Sequence, residues 1–258
     1  MKKTFFIHIP KTGGSTFNKF LADHFTGIEH CESQLTIDNK FIDIFQIKEL
    51  EYVSGHIKFL VFETNDFPRD EYFLVTFIRD PISQLLSHLN WVIHIYDIDS
   101  DFFATHPKII QDISLELRSL DLYNTDSFIY ALKKFDGLFR NNQSKYFIDS
   151  SGTIDKDNII ERMSQFDFIG ITEHHNESLR WFADLHHIKA NEIQDEVINR
   201  NPSYKVSRDI LENSLVDDFL QDYNEIDIEL YNYFYPLAAQ TFRRLNENTM
   251  TGLKSTDS

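Results

Sequence analysis

Two glycines, Gly13 and Gly14, stand side by side in the stretch FFIHIPKTGGST near the start of the chain. Glycine lacks a Cβ and adopts positive φ readily, so a glycine pair is typical of a loop whose backbone approaches a ligand closely. Lys11 adds a full positive charge just before the pair. Further hydroxyl donors in the same stretch belong to Thr12, Ser15 and Thr16. This combination of charge, hydroxyls and accessible backbone favours the binding of a phosphate or a similar oxyanion.

The residues around this loop predict that it joins a strand to a helix. The apolar run over residues 5–9 suits a buried strand, and apolar residues recur at helical spacing over residues 17–25. We expect Ser15 or Thr16 to cap the helix at its N-terminus, where unpaired N–H groups and the helix dipole attract an anion. The order differs from the G-x-x-x-x-G-K-[ST] loop of ATPases and kinases, because Lys11 precedes the glycines. A purely structural turn is the alternative interpretation.

A second candidate anion site lies in the stretch EYFLVTFIRDPISQLLSHLNW. The continuous β-rich run over residues 72–78 predicts a strand that is buried on both faces, and Arg79 follows it directly. Pro81 favours the first turn of a helix, and the apolar spacing after it leaves Ser87 on a different face from the core. A guanidinium and a hydroxyl at these positions could bind a second phosphate. The alternative is an Arg79–Asp80 pair beside a solvated serine.

Composition limits the classes of function and the number of domains. The formal net charge of −16 argues against a nucleic-acid binder, whose binding face is basic, and disfavours a strongly anionic polymer as partner. Residues 1–245 contain no repeat or linker and are expected to form a single domain, whereas the polar stretch 246–258 is expected to be disordered. The N-terminal apolar stretch is too short for a signal peptide, and no run of about 20 apolar residues could span a membrane, so we expect a cytoplasmic protein.

The two stretches together resemble a known family, the carbohydrate sulfotransferases that use 3′-phosphoadenosine 5′-phosphosulfate. IPKTGGST is similar to the loop that binds the 5′-phosphosulfate in that family. RDPISQLLS, with a serine eight positions after the arginine, is similar to its 3′-phosphate motif. The resemblance implies a P-loop-like three-layer α/β fold with a mainly parallel central sheet flanked by helices, and it implies that no metal is required. It assigns donor binding to Lys11, Thr12, Gly13, Gly14, Ser15, Thr16, Arg79 and Ser87.

Between the two motifs stands YVSGHIKF, which favours the heparan sulfate 2-O-sulfotransferase and uronyl sulfotransferase branch of the family. In that branch a Gly-His at the corresponding place carries the catalytic base. The resemblance therefore implies that His56 is the base and that Lys11 stabilises the leaving group. The Gly13-Gly14 pair and the missing membrane anchor favour a bacterial relative, and the acidity of the chain disfavours a heparan-like acceptor.

Weaker likenesses extend the resemblance over about residues 4–240. They are RNNQSKYF, FDFIGITEHHNESL and NRNPSYKVS, each of which has a counterpart in the family in a similar order. In the family a late loop of the last kind closes over the nucleotide. The resemblance therefore makes Arg200, Ser203 and Lys205 candidates for contacts with the 3′-phosphate or the adenine, and a surface loop is the alternative.

The chemistry of sulfuryl transfer narrows the candidates for the base. Transfer to an alcohol is an in-line displacement in which the hydroxyl loses a proton while negative charge builds on the leaving phosphate oxygen. A histidine, with an ordinary pKa of about 6.5, is suited to accept that proton at neutral pH. His88 is the second candidate after His56, and Glu51 and Glu63 stay open because some branches use a glutamate. The predicted acceptor is a hydroxyl on a carbohydrate or glycosylated metabolite.

Two other classes of function stay open. A P-loop-type kinase would share the strand, loop and helix, but it would need a Mg²⁺-binding acid and a lysine at the end of the loop. A non-catalytic nucleotide-binding module would retain the phosphate-binding residues while His56 had no role. The histidine pairs at 174–175 and 186–187 lack the H-E-x-x-H spacing and do not predict a metal site. His8, inside the first strand, is expected to be a hydrogen-bonded core residue.

Overall fold

The computed structural model describes residues 2–28, 50–64, 67–189 and 206–254. The strands are β1 (Lys3–Ile7), β2 (Gly27–Ile28), β3 (Tyr52–Gly55), β4 (Tyr72–Ile78) and β5 (Phe168–Ile171). The α-helices are α1 (Gly14–His24), α2 (Phe59–Thr64), α3 (Pro81–Ile98), α4 (Ser100–Thr105), α5 (Lys108–Ser119), α6 (Thr125–Lys134), α7 (Asp136–Phe139), α8 (Lys156–Met163), α9 (His175–Leu185), α10 (Ser214–Tyr223) and α11 (Glu225–Lys254). Short 3₁₀ helices cover Arg69–Glu71, Ser144–Tyr146, Thr172–His174 and Arg208–Glu212.

The strands of the described chain form one sheet in the order β2-β3-β1-β4-β5, and every neighbouring pair is parallel. After β1 the chain continues to β2 and β3 on one side, whereas after β4 it continues to β5 on the other side. The carboxyl ends of β1 and β4 therefore flank a switch point, which is the place where open α/β sheets bind ligands. The predicted mainly parallel α/β sheet is confirmed.

Alternate side chains of β1 point to the two faces of the sheet, and helices cover both faces. Phe6 packs edge to face on Phe17 of α1 at a centroid distance of 4.8 Å, and Phe17 in turn meets Phe182 of α9 at 4.9 Å. On the opposite face, Phe5 packs on Phe62 of α2 at 5.1 Å. Burial of such a side chain stabilises the fold by about 1.5–3 kcal/mol, so these phenylalanines hold the three layers together.

The strand and helix around Arg79 form as the sequence predicts. The strand β4 covers Tyr72–Ile78 and is buried except at Phe73. Asp80 caps α3, because its side chain accepts a hydrogen bond from the backbone N–H of Ser83 at 2.8 Å, and Pro81 occupies the first turn. Asp80 therefore serves as a helix cap, and the Arg79–Asp80 pair stays the alternative interpretation.

The prediction that Ser15 or Thr16 caps α1 is wrong. The helix begins at Gly14, and its N-cap is Gly13, whose φ is 84° and whose position has no side-chain cap. Both hydroxyl residues lie inside the first turn. The physical reason is that Gly13 adopts the left-handed conformation, so the chain turns into the helix earlier than a serine or threonine cap would allow.

The described chain divides into two compact units, each built from segments that are separated in sequence. The first unit comprises Met1–Arg79, Gln143–Ile198 and Glu229–Ser258, and it contains the sheet. The second unit comprises Asp80–Asn142 and Asn199–Ile228 and is helical, with a core of fully buried residues that includes Leu89, Leu117, Phe128, Leu132 and Leu220. The single domain expected over residues 1–245 stays a prediction.

The C-terminal part differs from its prediction at one point. The apolar stripe from Leu215 to Leu230 predicts one helix, but α10 ends at Tyr223 and α11 begins at Glu225, and Leu215 is 67% exposed. The chain breaks at Asn224, whose side-chain N–H donates to the carbonyl of Leu220. The helix α11 then continues to Lys254, and the expected disorder of residues 246–258 stays a prediction. No helix in the described ranges is long and apolar enough to cross a membrane.

Candidate active site

The loop between β1 and α1 lies at the carboxyl edge of the sheet and has an unusual backbone. Lys11 has a φ of 67° and Gly13 a φ of 84°, so left-handed residues stand on both sides of Thr12. For Lys11 this conformation costs about 1–2 kcal/mol, because its Cβ crowds the following carbonyl. Alternation of this kind turns successive N–H groups into a concavity suited to an anion. In addition, α1 begins at Gly14, so the N–H groups of Gly14 and Ser15 have no acceptor in a preceding helical turn.

The carbonyl of Lys11 is bound by the arginine that follows β4. Nη1 of Arg79 donates to the Lys11 carbonyl oxygen at 3.1 Å, which brings the two predicted anion-binding stretches into direct contact. The backbone of Arg79 is itself held by Gln143, whose Oε1 accepts from the Arg79 N–H at 2.9 Å and whose Nε2 donates to the Arg79 carbonyl at 2.8 Å. Gln143 belongs to the RNNQSKYF stretch, so this weaker motif positions Arg79.

The carbonyl of Thr12 is bound by the residue that follows β5. Oγ1 of Thr172 lies 2.6 Å from the Thr12 carbonyl oxygen and 3.0 Å from that of Ile78. The side chain of Thr12 is completely buried, and its own hydroxyl donates to the carbonyl of Ile9 at 2.9 Å. The resemblance assigns Thr12 to donor binding, and that assignment stays a prediction, while in the structure the Thr12 hydroxyl donates within the loop.

The carbonyl of Gly13 is bound by His175, the first residue of α9. Nε2 of His175 donates to this oxygen at 3.1 Å, in addition to the helical N–H groups of Thr16 and Phe17. Burial lowers the pKa of His175, and its hydrogen bond to Gly13 opposes that shift only in part. The imidazole is therefore neutral with its proton on Nε2, since a carbonyl oxygen can only accept.

The same histidine and His8 explain the glycine pair. A Cβ at Gly13 would lie 2.8 Å from Cδ2 of His175, and a Cβ at Gly14 would overlap the ring of His8. The ring of His8 stacks on Phe6 with centroids 5.4 Å apart. Both glycines are therefore required by imidazole rings that lie against the loop, and not only by backbone conformation.

Two cations and one carboxylate determine the electrostatics of the site. Burial lowers the pKa of Lys11, and the nearby charge of Arg79 lowers it further. Nε of Arg79 lies 4.0 Å from Oε1 of Glu173, and the hydroxyl of Tyr231 donates to Oε2 of that carboxylate at 3.1 Å. An anion bound beside Lys11 and Arg79 would relieve the repulsion between them.

His56 follows β3 at the same edge of the sheet. Its Nδ1 donates to the carbonyl of His8 at 2.6 Å, and the two rings lie 4.4 Å apart. In the neutral tautomer fixed by this bond, Nε2 carries the lone pair. The His8 N–H donates to the carbonyl of Gly55 at 2.9 Å, and Oγ of Ser54 donates to Oδ1 of Asn18 at 2.6 Å, so β3 is tied to β1 and α1. The side chain of His56 is exposed, and its assignment as the base stays a prediction.

The other candidates for the base occupy different surroundings. Glu51 precedes β3 at the amino edge of the sheet, opposite to His56, and accepts from the N–H of Thr26 at 2.8 Å. Glu63 forms an ion pair with Arg162. His88 belongs to the second unit, where it is buried and its ring lies 5.4 Å from that of Phe139.

The remaining predicted site residues divide into two groups. Ser87 lies on α3 in the second unit and is 7% exposed, and its assignment to the 3′-phosphate stays a prediction. Arg200, Ser203 and Lys205 lie outside the described residues.

The paired histidines have structural roles. His174 is hydrogen-bonded to the hydroxyl of Tyr235 at 3.0 Å, and the ring of His186 stacks on Phe182 with centroids 4.2 Å apart. Across the part of the chain that the structure describes, no three His, Cys, Asp or Glu side chains come close enough to hold a metal ion.

The sequence did not predict the residues that hold the loop between β1 and α1 in place. Thr172 and His175 follow β5, Gln143 lies in a weak motif, and His8 is expected only to fill the core. One signal was available: polar residues directly after the carboxyl end of a buried parallel strand reach the ligand edge of the sheet. The stretch ITEHH fits that description.

The fold and this site define an α/β protein with a loop of positive-φ residues at the carboxyl edge of a parallel sheet. A sequence model described as the sulfotransferase family matches residues 2–234, and the chain therefore belongs to the sulfotransferase family. No curated protein matches the chain significantly. The family match confirms the sulfotransferase part of the resemblance and sulfuryl transfer in general, and the heparan-like branch and bacterial origin stay predictions.

Proposed function

We propose that this protein transfers the sulfuryl group of 3′-phosphoadenosine 5′-phosphosulfate to a hydroxyl of a carbohydrate or glycosylated acceptor, with His56 as general base. The observation that supports this most is the hydrogen bond from Arg79 to the carbonyl of Lys11. It joins the stretch that resembles the 3′-phosphate motif to the stretch that resembles the 5′-phosphosulfate loop. A bacterial origin and a cytoplasmic location belong to the same proposal.

In this proposal the donor lies across the carboxyl ends of β1 and β4. The 5′-phosphosulfate is bound by Lys11 and by the N–H groups of Gly13, Gly14 and Ser15 at the start of α1, and the resemblance assigns Thr12 and Thr16 to the same group. Arg79 binds the 3′-phosphate as a charged donor with several N–H groups, and the resemblance assigns Ser87 to the same phosphate. Arg200, Ser203 and Lys205 keep their assignment to the 3′-phosphate or the adenine.

The proposed reaction is an in-line displacement at sulfur. The acceptor oxygen attacks the sulfur atom, the bond from sulfur to the bridging oxygen breaks, and adenosine 3′,5′-bisphosphate leaves. The acceptor proton passes to Nε2 of His56, whose orientation and tautomer are fixed by the bond from Nδ1 to the His8 carbonyl. Lys11 and the loop N–H groups stabilise the charge that develops on the leaving phosphate. The mechanism assigns no step to a metal ion.

A transfer assay tests this function directly. The protein is incubated with the sulfated donor and a panel of neutral and acidic sugars, and formation of adenosine 3′,5′-bisphosphate and of sulfated sugar is measured. His56→Ala is compared with His24→Ala, a matched control in which the histidine also donates Nδ1 to a carbonyl, that of Phe20 at 2.8 Å, but at the far end of α1. We expect loss of a general base to lower the rate by about 10²–10⁴-fold, with His24→Ala close to wild type. Equal rates for wild type and His56→Ala would contradict the assignment of the base.

A further inference from the structure

We infer that His175 and Thr172 are positioning residues for the donor, which hold the loop after β1 in the shape that binds the 5′-phosphosulfate. This inference rests on the proposed function, because it concerns the same loop. Neither residue touches the donor in this account. Both act through the carbonyl groups of Thr12 and Gly13.

His175 is fixed on three sides. Its ring stacks on Phe77 of β4 with centroids 5.2 Å apart and an interplanar angle of 27°. Its Cδ2 fills the space that a Cβ at Gly13 would need, and its Nε2 donates to the Gly13 carbonyl. The ring therefore supports the one conformation, with φ of 84°, from which α1 starts.

Thr172 supports the preceding peptide in the same way. Its hydroxyl lies within hydrogen-bond distance of the carbonyls of Thr12 and Ile78, so it links the loop to the end of β4. The carbonyls of three successive loop residues therefore each have a side-chain partner. Arg79 binds that of Lys11, Thr172 that of Thr12, and His175 that of Gly13. The partners come from the ends of β4 and β5 and from the start of α9.

The consequence is electrostatic. A carbonyl oxygen that turned toward a phosphate would repel it, whereas an N–H group at the same place attracts it. Because each peptide plane carries its carbonyl and N–H on opposite sides, holding the carbonyls against the protein keeps the N–H groups of the loop available to an anion. Loss of one of these side-chain hydrogen bonds therefore weakens binding of the 5′-phosphosulfate and does not change binding of the 3′-phosphate.

Calorimetric binding of three nucleotides separates this role from a merely structural one. The ligands are adenosine 3′,5′-bisphosphate, adenosine 5′-phosphate and adenosine 3′-phosphate. The variants are His175→Leu, which removes the donor, His175→Gln, whose Nε2 has a similar reach and can donate, and Thr172→Val, which removes only the hydroxyl. His186→Leu is the matched control, because this buried histidine directly follows the other end of α9 and stacks on Phe182.

We expect His175→Leu and Thr172→Val each to lower the affinity for the two ligands that carry a 5′-phosphate. Within one variant the factor should be the same for both ligands, roughly three- to tenfold for one lost hydrogen bond. Binding of adenosine 3′-phosphate should not change, His175→Gln should restore most of the affinity, and His186→Leu should match wild type for all three ligands. Equal affinity of wild type and His175→Leu for the 5′-phosphates overturns the inference. So does an equal loss for all three ligands. A wild-type protein that binds none of them overturns the proposed function, and the inference with it.

Discussion

Nη1 of Arg79 donates a hydrogen bond to the backbone carbonyl of Lys11 over 3.1 Å, and this bond ties the end of β4 to the loop after β1. Arg79 thereby has two functions in this account, as a cation for the 3′-phosphate and as a support for the left-handed turn at Lys11. The side chain of Gln143 fixes the Arg79 backbone on its other side. The geometry of the loop is therefore determined largely by residues remote from it in sequence.

Replacing Glu173 by glutamine should tighten donor binding. The Glu173 carboxylate lies 4.0 Å from Arg79, and it repels a phosphate that approaches the same guanidinium. Arg79 stays in place without it, because the bonds to Lys11 and Gln143 remain. The pair is partly exposed, so we expect an effect of at most about 1 kcal/mol, or about fivefold, and a smaller one at high salt. Calorimetry with adenosine 3′,5′-bisphosphate at two ionic strengths measures it, with Glu177→Gln as the control. Weaker binding by Glu173→Gln would show that the carboxylate is needed to orient Arg79.

Replacing Gly14 by alanine should destabilise the protein only while His8 is present. The added Cβ would overlap the imidazole of His8, and overpacking of this kind costs about 1–3 kcal/mol. Alanine is otherwise a better helix former than glycine, by about 1 kcal/mol. In a His8→Ala background the same substitution should therefore be neutral or stabilising. Urea unfolding of the four proteins in this cycle measures the coupling, and additive effects of the two substitutions would be incompatible with the packing described.

The buried histidine behind the loop should make the fold sensitive to acid. The pKa of His175 in the folded protein is lowered by burial, whereas in the unfolded chain it has its ordinary value of about 6.5. As the pH falls below 6.5, His175 takes up a proton in the unfolded chain before it does so in the folded protein. The contribution of neutral His175 to the free energy of unfolding is therefore complete above pH 6.5, and it is lost as the pH falls toward the pKa of the folded state. His175→Gln should therefore lose less free energy of unfolding than wild type between about pH 7 and pH 5. Urea unfolding of both proteins at both pH values tests this. An equal loss of free energy of unfolding in wild type and His175→Gln would show that His175 does not contribute to the acid sensitivity.

Donor affinity should fall at alkaline pH because of Lys11. Burial and Arg79 lower the pKa of this lysine, so its charge is lost at a lower pH than the ordinary value of 10.5 implies. A bound phosphate stabilises the ammonium, and binding should therefore be accompanied by proton uptake in that pH range. In Lys11→Arg the guanidinium stays charged, and the alkaline decrease in affinity should be absent or much weaker. A pH series of calorimetric titrations compares the two proteins. The same alkaline midpoint in both would show that another group titrates.

The strands and the edge of the sheet that carries the site follow from local sequence. The apolar run over Tyr72–Ile78 becomes β4 without a change of boundary, because a strand buried on both faces requires continuous apolar side chains. His56 lies at the carboxyl end of β3, as the strand-like stretch before it predicts.

The contacts that Thr172, His175 and Gln143 make with the site could not be predicted, because they join residues far apart in the chain. Thr172 and His175 reach the loop only because β5 lies beside β4, which the pattern of one strand does not reveal. Likewise, the N-cap at Gly13 follows from a ring that packs on it, and serine and threonine propensities point to the wrong residue. Side-chain hydrogen bonds such as that of Asn224 end a helix where the apolar stripe continues.

The most direct test of the account is calorimetric binding of adenosine 3′,5′-bisphosphate, adenosine 5′-phosphate and magnesium-ATP to wild type, Arg79→Ala and Arg69→Ala. Arg69 is a matched control, because it binds Asp167 and the Tyr72 carbonyl at the opposite end of β4. We predict binding of the bisphosphate that is independent of magnesium, requires the 3′-phosphate, is lost in Arg79→Ala and is retained in Arg69→Ala. A preference for magnesium-ATP, or equal affinity for the nucleotides with and without the 3′-phosphate, would contradict the account.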